Sequence, residues 1–509
     1  MTETLTPRTE ARPQHTKRAP SALKTGSPRK PSRRVSYAAE EPAKAASSFT
    51  PALSVASSPW SSKLLLTLDG GGIRGYSSLI ILRTLMKEVA EIEQRHEKPA
   101  MSSADTDRIP RGSIPSHVYR EGQYLPCHYF DYIAGTSFGG LIAIMLGMLG
   151  MSVKDCIDEF NNQQDSIPLA NFRPANLDFS LLRRRTTWPP KRSNSFYETF
   201  ARFSATATAN LNAKAAPEPS TPTSTSTVES EFKQDSFQCQ TLAWCTEIES
   251  RKPYAFCSYE DYENANRAIS IPEVAKAITA PTSALFKPFK LGAAHFVDGS
   301  RQIRDPTLEV LKEISGLLES DHPAIGLVLS LGTDEHRSWI YEVLGIGSQS
   351  SSSSSQSSGR KSAAAAAQVD AEVSKEKGRS YHDYHRFEVP DVRLGFRRKF
   401  FLREIEDFTA KWLAEGTNMA DIRRYAAALV ESRRARAATP GWETFALGAR
   451  YLCFHDVCLN KDTVFDSRGK FYGHLDRSHG LSKDMTKKGK QAIEAELDRG
   501  RRIGHGLAL

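Results

Sequence analysis

The sequence predicts an α/β fold, a three-layer sandwich around a mainly parallel sheet. Three observations predict it: short apolar runs alternate with stretches of helical spacing, the apolar runs end in glycine-rich turns, and 39% apolar residues in a 509-residue chain allow a sizeable core. Loops at the carboxyl ends of such strands are where sites are built.

"KLLLTL" (63–68) has the length and flanking glycines of a buried strand, and "YSSLIILRTLMKEVAEIEQ" from Tyr76 has helical apolar spacing. "YFDYIAG" (129–135) reads as the second strand, followed by an apolar helix from Leu141. "QTLAWCT" from Gln240 and "AIGLVLSLG" from Ala324 read as further strands, with helical "IPEVAKAIT" from Ile271 between them. In "FFLREIEDFTAKWL", Phe401, Ile405, Phe408 and Trp412 share one helical face, which predicts packing of the last helices on the sheet.

Three stretches are too polar or too simple to join a core: residues 1–60, an Ala/Pro/Thr/Ser-rich insertion at about 205–230, and a Ser/Ala-rich one at about 347–378. The first carries part of the net charge of +9 and reads as a disordered basic tail. Its functional readings are an anionic membrane surface, a nuclear address, or a kinase site at Arg33-Arg34-Val35-Ser36; a solvating tail is the simplest. No apolar run reaches membrane-spanning length, no secretory signal is visible, and Glu3 and Glu10 count against a mitochondrial presequence. Seven scattered cysteines suit a reducing compartment, so the expected location is intracellular, cytoplasmic or peripheral on membranes.

Chemistry concentrates at two glycine-rich turns. Gly70, Gly72 and Gly75 fit a dinucleotide fingerprint, but the following helix runs into a polar stretch rather than into a strand ending in an acidic ribose ligand. The alternative is an oxyanion loop: the amides of Gly70, Gly71 and Gly72 aimed at a tetrahedral intermediate, with Arg74 adding charge or fixing the loop. "GTSFGG" puts Ser137 in G-x-S-x-G between a strand and a helix, the setting of a nucleophile elbow, with Gly135 and Gly139 removing side chains that would clash. No histidine is placed by a motif as its base. Asp298 in "VDGS" can serve in a two-residue arrangement, although the local sequence by itself reads rather as a plain turn.

"DGGGIRG" (69–75), "GTSFGG" (135–140), "AITAPTSALFKPF" (277–289), "VDGS" (297–300) and "VLSLGT" (328–333), in this order, resemble the patatin-like phospholipases. Stretches from Cys239 and Tyr384 look like later segments of that family, so the resemblance spans roughly 62–430. It implies a lipid acyl hydrolase with a Ser137–Asp298 dyad, the oxyanion loop on Gly70 to Gly72 with Arg74, and no cofactor for catalysis. Implied partners are a phospholipid or acylglycerol substrate and a membrane or lipid-droplet surface. The domain division that follows is a tail (1–60), an acyl hydrolase domain (61–430) and a C-terminal helical and zinc-finger-like region (431–509).

Two departures stand out. Ser300 occupies a position where the family usually has Gly or Ala, and Arg301 and Arg304 follow Asp298 where the family is rich in Asn and Pro. Guanidinium groups beside the base would favour its charged, weakly basic form. They support a competing reading, a catalytically weak scaffold or lipid-binding protein acting through its tail and C-terminal segment.

The basic cluster around Trp188 reads either as a lipid-surface contact or as a solvated connector. Cys453, Cys458, His474 and His479 give C-x4-C-x15-H-x4-H, similar to a two-Cys two-His zinc finger with a lengthened centre, and Phe465 and Phe471 supply its small core. One structural zinc and a structural or protein-partner role are expected, and nucleic acid is an unlikely partner because a single module buries little surface.

Overall fold

The computed structural model describes residues 58–97, 124–163, 191, 194–202, 231–233, 238–259, 269–281, 287–317, 325–333, 383–390, 401–458, 463–480 and 487–502. They belong to one unit, Ser57–Leu509. Residues 1–57, the two insertions and the Trp188 cluster lie outside the described residues.

Eight strands form the main sheet: β1 (Lys63–Leu68), β2 (Tyr132–Thr136), β3 (Gln240–Glu247), β4 (Pro253–Cys257), β5 (Phe289–Leu291), β6 (Ala294–Asp298), β7 (Ile325–Thr333) and β8 (Asp383–Val389). The order is β5-β6-β3-β2-β1-β7-β8, with β4 also paired to β3. β3, β2, β1, β7 and β8 run parallel; β4 and β6 run antiparallel to β3, and β5 pairs antiparallel with β6. The second strand begins at Tyr132 rather than at Tyr129, because Pro126–His128 forms a 3-10 turn and Asp131 turns its carboxylate to accept the Leu64 N–H (2.8 Å).

Alternation along the strands separates the layers. Leu64, Leu66, Leu68, Ile133, Leu327, Leu329 and Leu331 enter the larger core, whereas Leu65, Tyr132, Ala134 and Val328 face the other side. The larger core holds α1 (Tyr76–Glu97), α2 (Ser137–Ala143), α3 (Val153–Asn162), α4 (Ile271–Ile278), α6 (Phe401–Leu413) and α7 (Asn418–Ala437). On the opposite face, Val310 and Ile314 of α5 (Thr307–Leu317) cover the sheet. Capping boxes start α3 (Ser152 with Asp155) and α4 (Ser270 with Glu273), each satisfying two otherwise orphaned backbone donors. The apolar helix read from Leu141 is the second half of α2, which starts at Ser137, is buried along its length and continues as a π-helical turn, Ile144–Met148.

α7 carries two buried ion-pair anchors. Glu93 of α1, fully buried, accepts from Arg433 (3.3 Å), Arg434 (3.0 Å) and the Tyr129 hydroxyl (3.2 Å). Arg436, also fully buried, donates to Asp131 Oδ2 (2.8 Å), the Ser62 carbonyl (2.8 Å) and the Pro59 carbonyl (3.1 Å). Trp60, placed in the tail by composition, packs here: its indole donates to Thr439 (2.8 Å) and its ring lies 4.9 Å from the Arg436 guanidinium carbon.

The chain continues through α8 (Trp442–Leu447) into a three-stranded sheet of order β10-β9-β11, formed by β9 (Arg450–Leu452), β10 (Val464–Phe465) and β11 (Arg501–Arg502). α9 (Arg468–His479) and α10 (Lys487–Gly500) pack on it around Tyr451, Phe471, Leu475, Ile493 and Leu497. No helix among the described residues is long and apolar enough to cross a membrane.

Candidate active site

The sheet register brings the two principal residues together. Trp244 of β3 pairs with Thr136 on one edge and Ala255 on the other, and Cys245 pairs with Asp298 and Tyr254. Since β4 occupies one edge throughout, β2 and β6 share the opposite edge and meet head to head. Ser137, the residue after β2, therefore faces the last residue of β6, and its Oγ donates a hydrogen bond to Asp298 Oδ2.

Ser137 sits at φ 54°. A non-glycine residue pays conformational free energy there, and the strain presents the hydroxyl at the mouth of the turn. The flanking glycines are required by contact: a Cβ on Gly135 would strike the Gly139 carbonyl, and one on Gly139 would strike the Leu68 and Asp69 carbonyls. β1, β2 and the start of α2 thus approach more closely than any side chain allows.

Ser300 orients the carboxylate. Its N–H (2.8 Å) and its hydroxyl both donate to Asp298 Oδ1, which leaves Oδ2 to Ser137. The sequence marks Ser300 only as a departure from Gly or Ala; its hydroxyl makes a hydrogen bond to Asp298 that neither of those residues can make.

The glycine loop lies over this pair. A Cβ on Gly70 would come within 2.8 Å of Ser300 Oγ and 3.4 Å of Ser137 Cβ. The expectation that the amides of Gly70, Gly71 and Gly72 all serve an oxyanion fails at Gly70, whose N–H is donated to the Arg304 carbonyl (2.9 Å). A backbone donor already satisfied inside the protein is not available to a ligand. Arg304 Nε donates in return to the Gly70 carbonyl (3.2 Å) and lies 4.0 Å from Asp69 Oδ2. Gly72 opens a 3-10 turn, Gly72–Gly75, in which Arg74 is buried.

A residue missed in the sequence organises the loop from below. Arg386 of β8 holds Asp69 bidentately (2.7 and 3.1 Å) and donates to Asp305 (3.1 Å), Ser330 (2.8 Å) and Glu388 (3.2 Å). It therefore ties the residue preceding the glycines to the segment following Asp298. Burial pushes the Asp69 carboxyl up to about 6, assisted by neighbouring Asp305 and opposed by Arg386. β8 reads DYHRFEV, and with Asp383, His385 and Glu388 in the same strand no local pattern singles Arg386 out.

Cys453, Cys458, His474 and His479 also come together, their candidate ligand atoms all within 4.8 Å of one another. They belong to the three-stranded module. The other five cysteines, Cys127, Cys156, Cys239, Cys245 and Cys257, are free thiols.

Residues 66–311 match the family model described as patatin-like phospholipase. No curated protein matches the chain. Among solved structures, the crystal structure of VipD from Legionella pneumophila aligns over 69% of this chain and 67% of that one, at 12% identity and a TM-score of 0.27.

Proposed function

We propose that this chain, which carries a patatin-like phospholipase domain at residues 66–311, is a serine-dependent lipid acyl hydrolase acting on phospholipid or acylglycerol esters at a lipid surface. The observation that carries the reading is the hydrogen bond from a positive-φ serine to a carboxylate that two other donors already orient.

Ser137 Oγ attacks the ester carbonyl carbon while Asp298 Oδ2 takes its proton. The carbonyl oxygen becomes an oxyanion, which the amides of Gly71 and Gly72 receive; one such donor is worth on the order of 10²–10³ in rate. Collapse expels the alcohol, to which Asp298 returns the proton, and leaves an acyl-Ser137 ester. Water then attacks that ester with Asp298 again as base, releasing the fatty acid and restoring Ser137. These steps use no metal or organic cofactor.

The test is fatty acid release from phosphatidylcholine vesicles and from triacylglycerol emulsions by wild type and Ser137→Ala, with fluorophosphonate labelling of both. Release and labelling by wild type, both lost in the variant, are expected. Equal release by the two proteins, or a folded wild type that neither labels nor releases fatty acid, would overturn the reading.

A further inference from the structure

We propose that Cys453, Cys458, His474 and His479 hold one zinc ion in a closed tetrahedral site, and that the zinc-closed module braces α8 within this chain instead of reading nucleic acid. The separations of the four atoms carry the first half. Cys453 Sγ lies 3.3 Å from His479 Nε2, Cys458 Sγ lies 3.6 Å from His474 Nε2 and 3.5 Å from His479 Nε2, and the two Nε2 atoms are 3.2 Å apart. Zinc at about 2.3 Å from sulfur and about 2.05 Å from nitrogen, with tetrahedral angles, sets sulfur to nitrogen at ~3.6 Å and nitrogen to nitrogen at ~3.3 Å. The four separations match those edges.

Hydrogen bonding alone does not account for the cluster. His479 Nε2 approaches both sulfurs and His474 Nε2 at once, yet an imidazole nitrogen carries at most one proton. One central cation satisfies all four atoms together. Two thiolates would balance the charge of Zn²⁺, so the site, with its cysteines buried and its histidines half-buried, carries no net charge. On the far side of its ring, His474 Nδ1 contacts Ser478 Oγ (3.2 Å), a partner that fixes ring orientation. All four positions are filled by protein, which marks a structural site with none left for substrate.

The surroundings carry the second half. At the start of α9, Arg468 is held by Glu494 and Asp498 of α10. Its guanidinium is thus occupied within the chain, and the adjacent carboxylates repel a phosphate backbone. The strands instead grip α8: Tyr451 donates its hydroxyl to Glu443, Arg501 Nε donates to the same carboxylate (2.5 Å), and Thr444 bonds the Asp466 carbonyl. Phe445 of α8 in turn packs on Trp60 (5.1 Å between centroids), and His128 reaches the Ala446 carbonyl (3.1 Å). The module's own core is small, the circumstance in which a metal supplies stability that apolar burial does not.

The test uses the full-length protein, purified without chelator from cells supplied with zinc. About one zinc per chain is expected in wild type and far less in Cys453→Ser and Cys458→Ser. Exchange of wild type into cobalt(II) should give thiolate-to-metal charge transfer and intense four-coordinate d–d bands, a readout independent of whether the variants fold. Chelation should expose residues around α8 to limited proteolysis, reversed by zinc. A folded wild type carrying far less than one equivalent of metal, or one whose cobalt spectrum lacks thiolate bands, overturns the metal site. Unchanged proteolysis around α8 after zinc removal, or tight duplex DNA binding lost in Arg468→Ala, overturns the brace.

Discussion

Thr136 and Asp298 end two strands of opposite direction on one edge of β3, paired with its consecutive residues Trp244 and Cys245. The separation of Ser137 and Asp298 is thereby set by a hydrogen-bonded ladder rather than by loop conformation.

Lengthening the base should therefore be poorly tolerated. Asp298→Glu adds one methylene against a fixed serine, and a displacement of about 1 Å can cost on the order of 10²-fold in rate. Asp298→Asn removes the proton acceptor and should abolish turnover. Both are read as kcat for fatty acid release by protein whose circular dichroism matches wild type.

Ser300→Ala keeps the backbone donor to Asp298 and removes the hydroxyl. A hydrogen bond to a charged group is worth about 1.5–3 kcal/mol. The expected result is a fall of about 10-fold or more in kcat with KM little changed, because the missing contact positions the base and does not touch substrate. Ser300→Thr, which restores a hydroxyl, should recover part of the loss.

Asp69 gives stability a specific pH dependence. Its folded-state carboxyl is raised from 3.8 to about 6, so it binds a proton more tightly folded than unfolded. This contribution to stability is full below about 3.8 and is lost as pH rises through about 6. The unfolding free energy of wild type relative to Asp69→Asn should fall by on the order of 2 kcal/mol between about pH 4.5 and 7, followed by urea denaturation. A difference that is flat or rises with pH contradicts the burial-dominated carboxyl.

Arg436 is a test of architecture apart from chemistry. Arg436→Ala strips buried Asp131 of its close guanidinium, leaving it the Leu64 N–H and Lys63 at 4.0 Å, and should cost up to about 3–5 kcal/mol. The melting temperature should drop accordingly. Fatty acid release per folded molecule should stay near wild type, because Arg436 touches neither Ser137 nor Asp298 among its hydrogen bonds.

Much of this arrangement is legible in the sequence, for local reasons. β1, α1, β3 and β7 announce themselves through apolar periodicity, and Ser137 through the glycines that its turn demands. Asp298 is different: an Asp-Gly pair carries no chemistry by itself, and only its order among the other motifs singles it out. What makes it a partner for Ser137 is the shared edge of β3, a relation among distant segments that no local pattern expresses. The three glycines of the loop look equivalent in sequence, yet one amide is taken by the Arg304 carbonyl. Arg386 was overlooked because its partners are scattered from Asp69 to Glu388.

The β7–β8 ladder runs in continuous register from Leu327 opposite Asp383 to Thr333 opposite Val389, whatever path the chain takes through 334–382. Arg386 reaches Asp69 by strand pairing, so the contact should survive a cut in the covalent link between these strands. Severed within 334–382, the protein should behave as two complementing halves. Separately expressed, neither piece would hold a complete loop anchor; mixed, they would regain fatty acid release, which makes this seam a place to render the enzyme conditional on the meeting of two polypeptides.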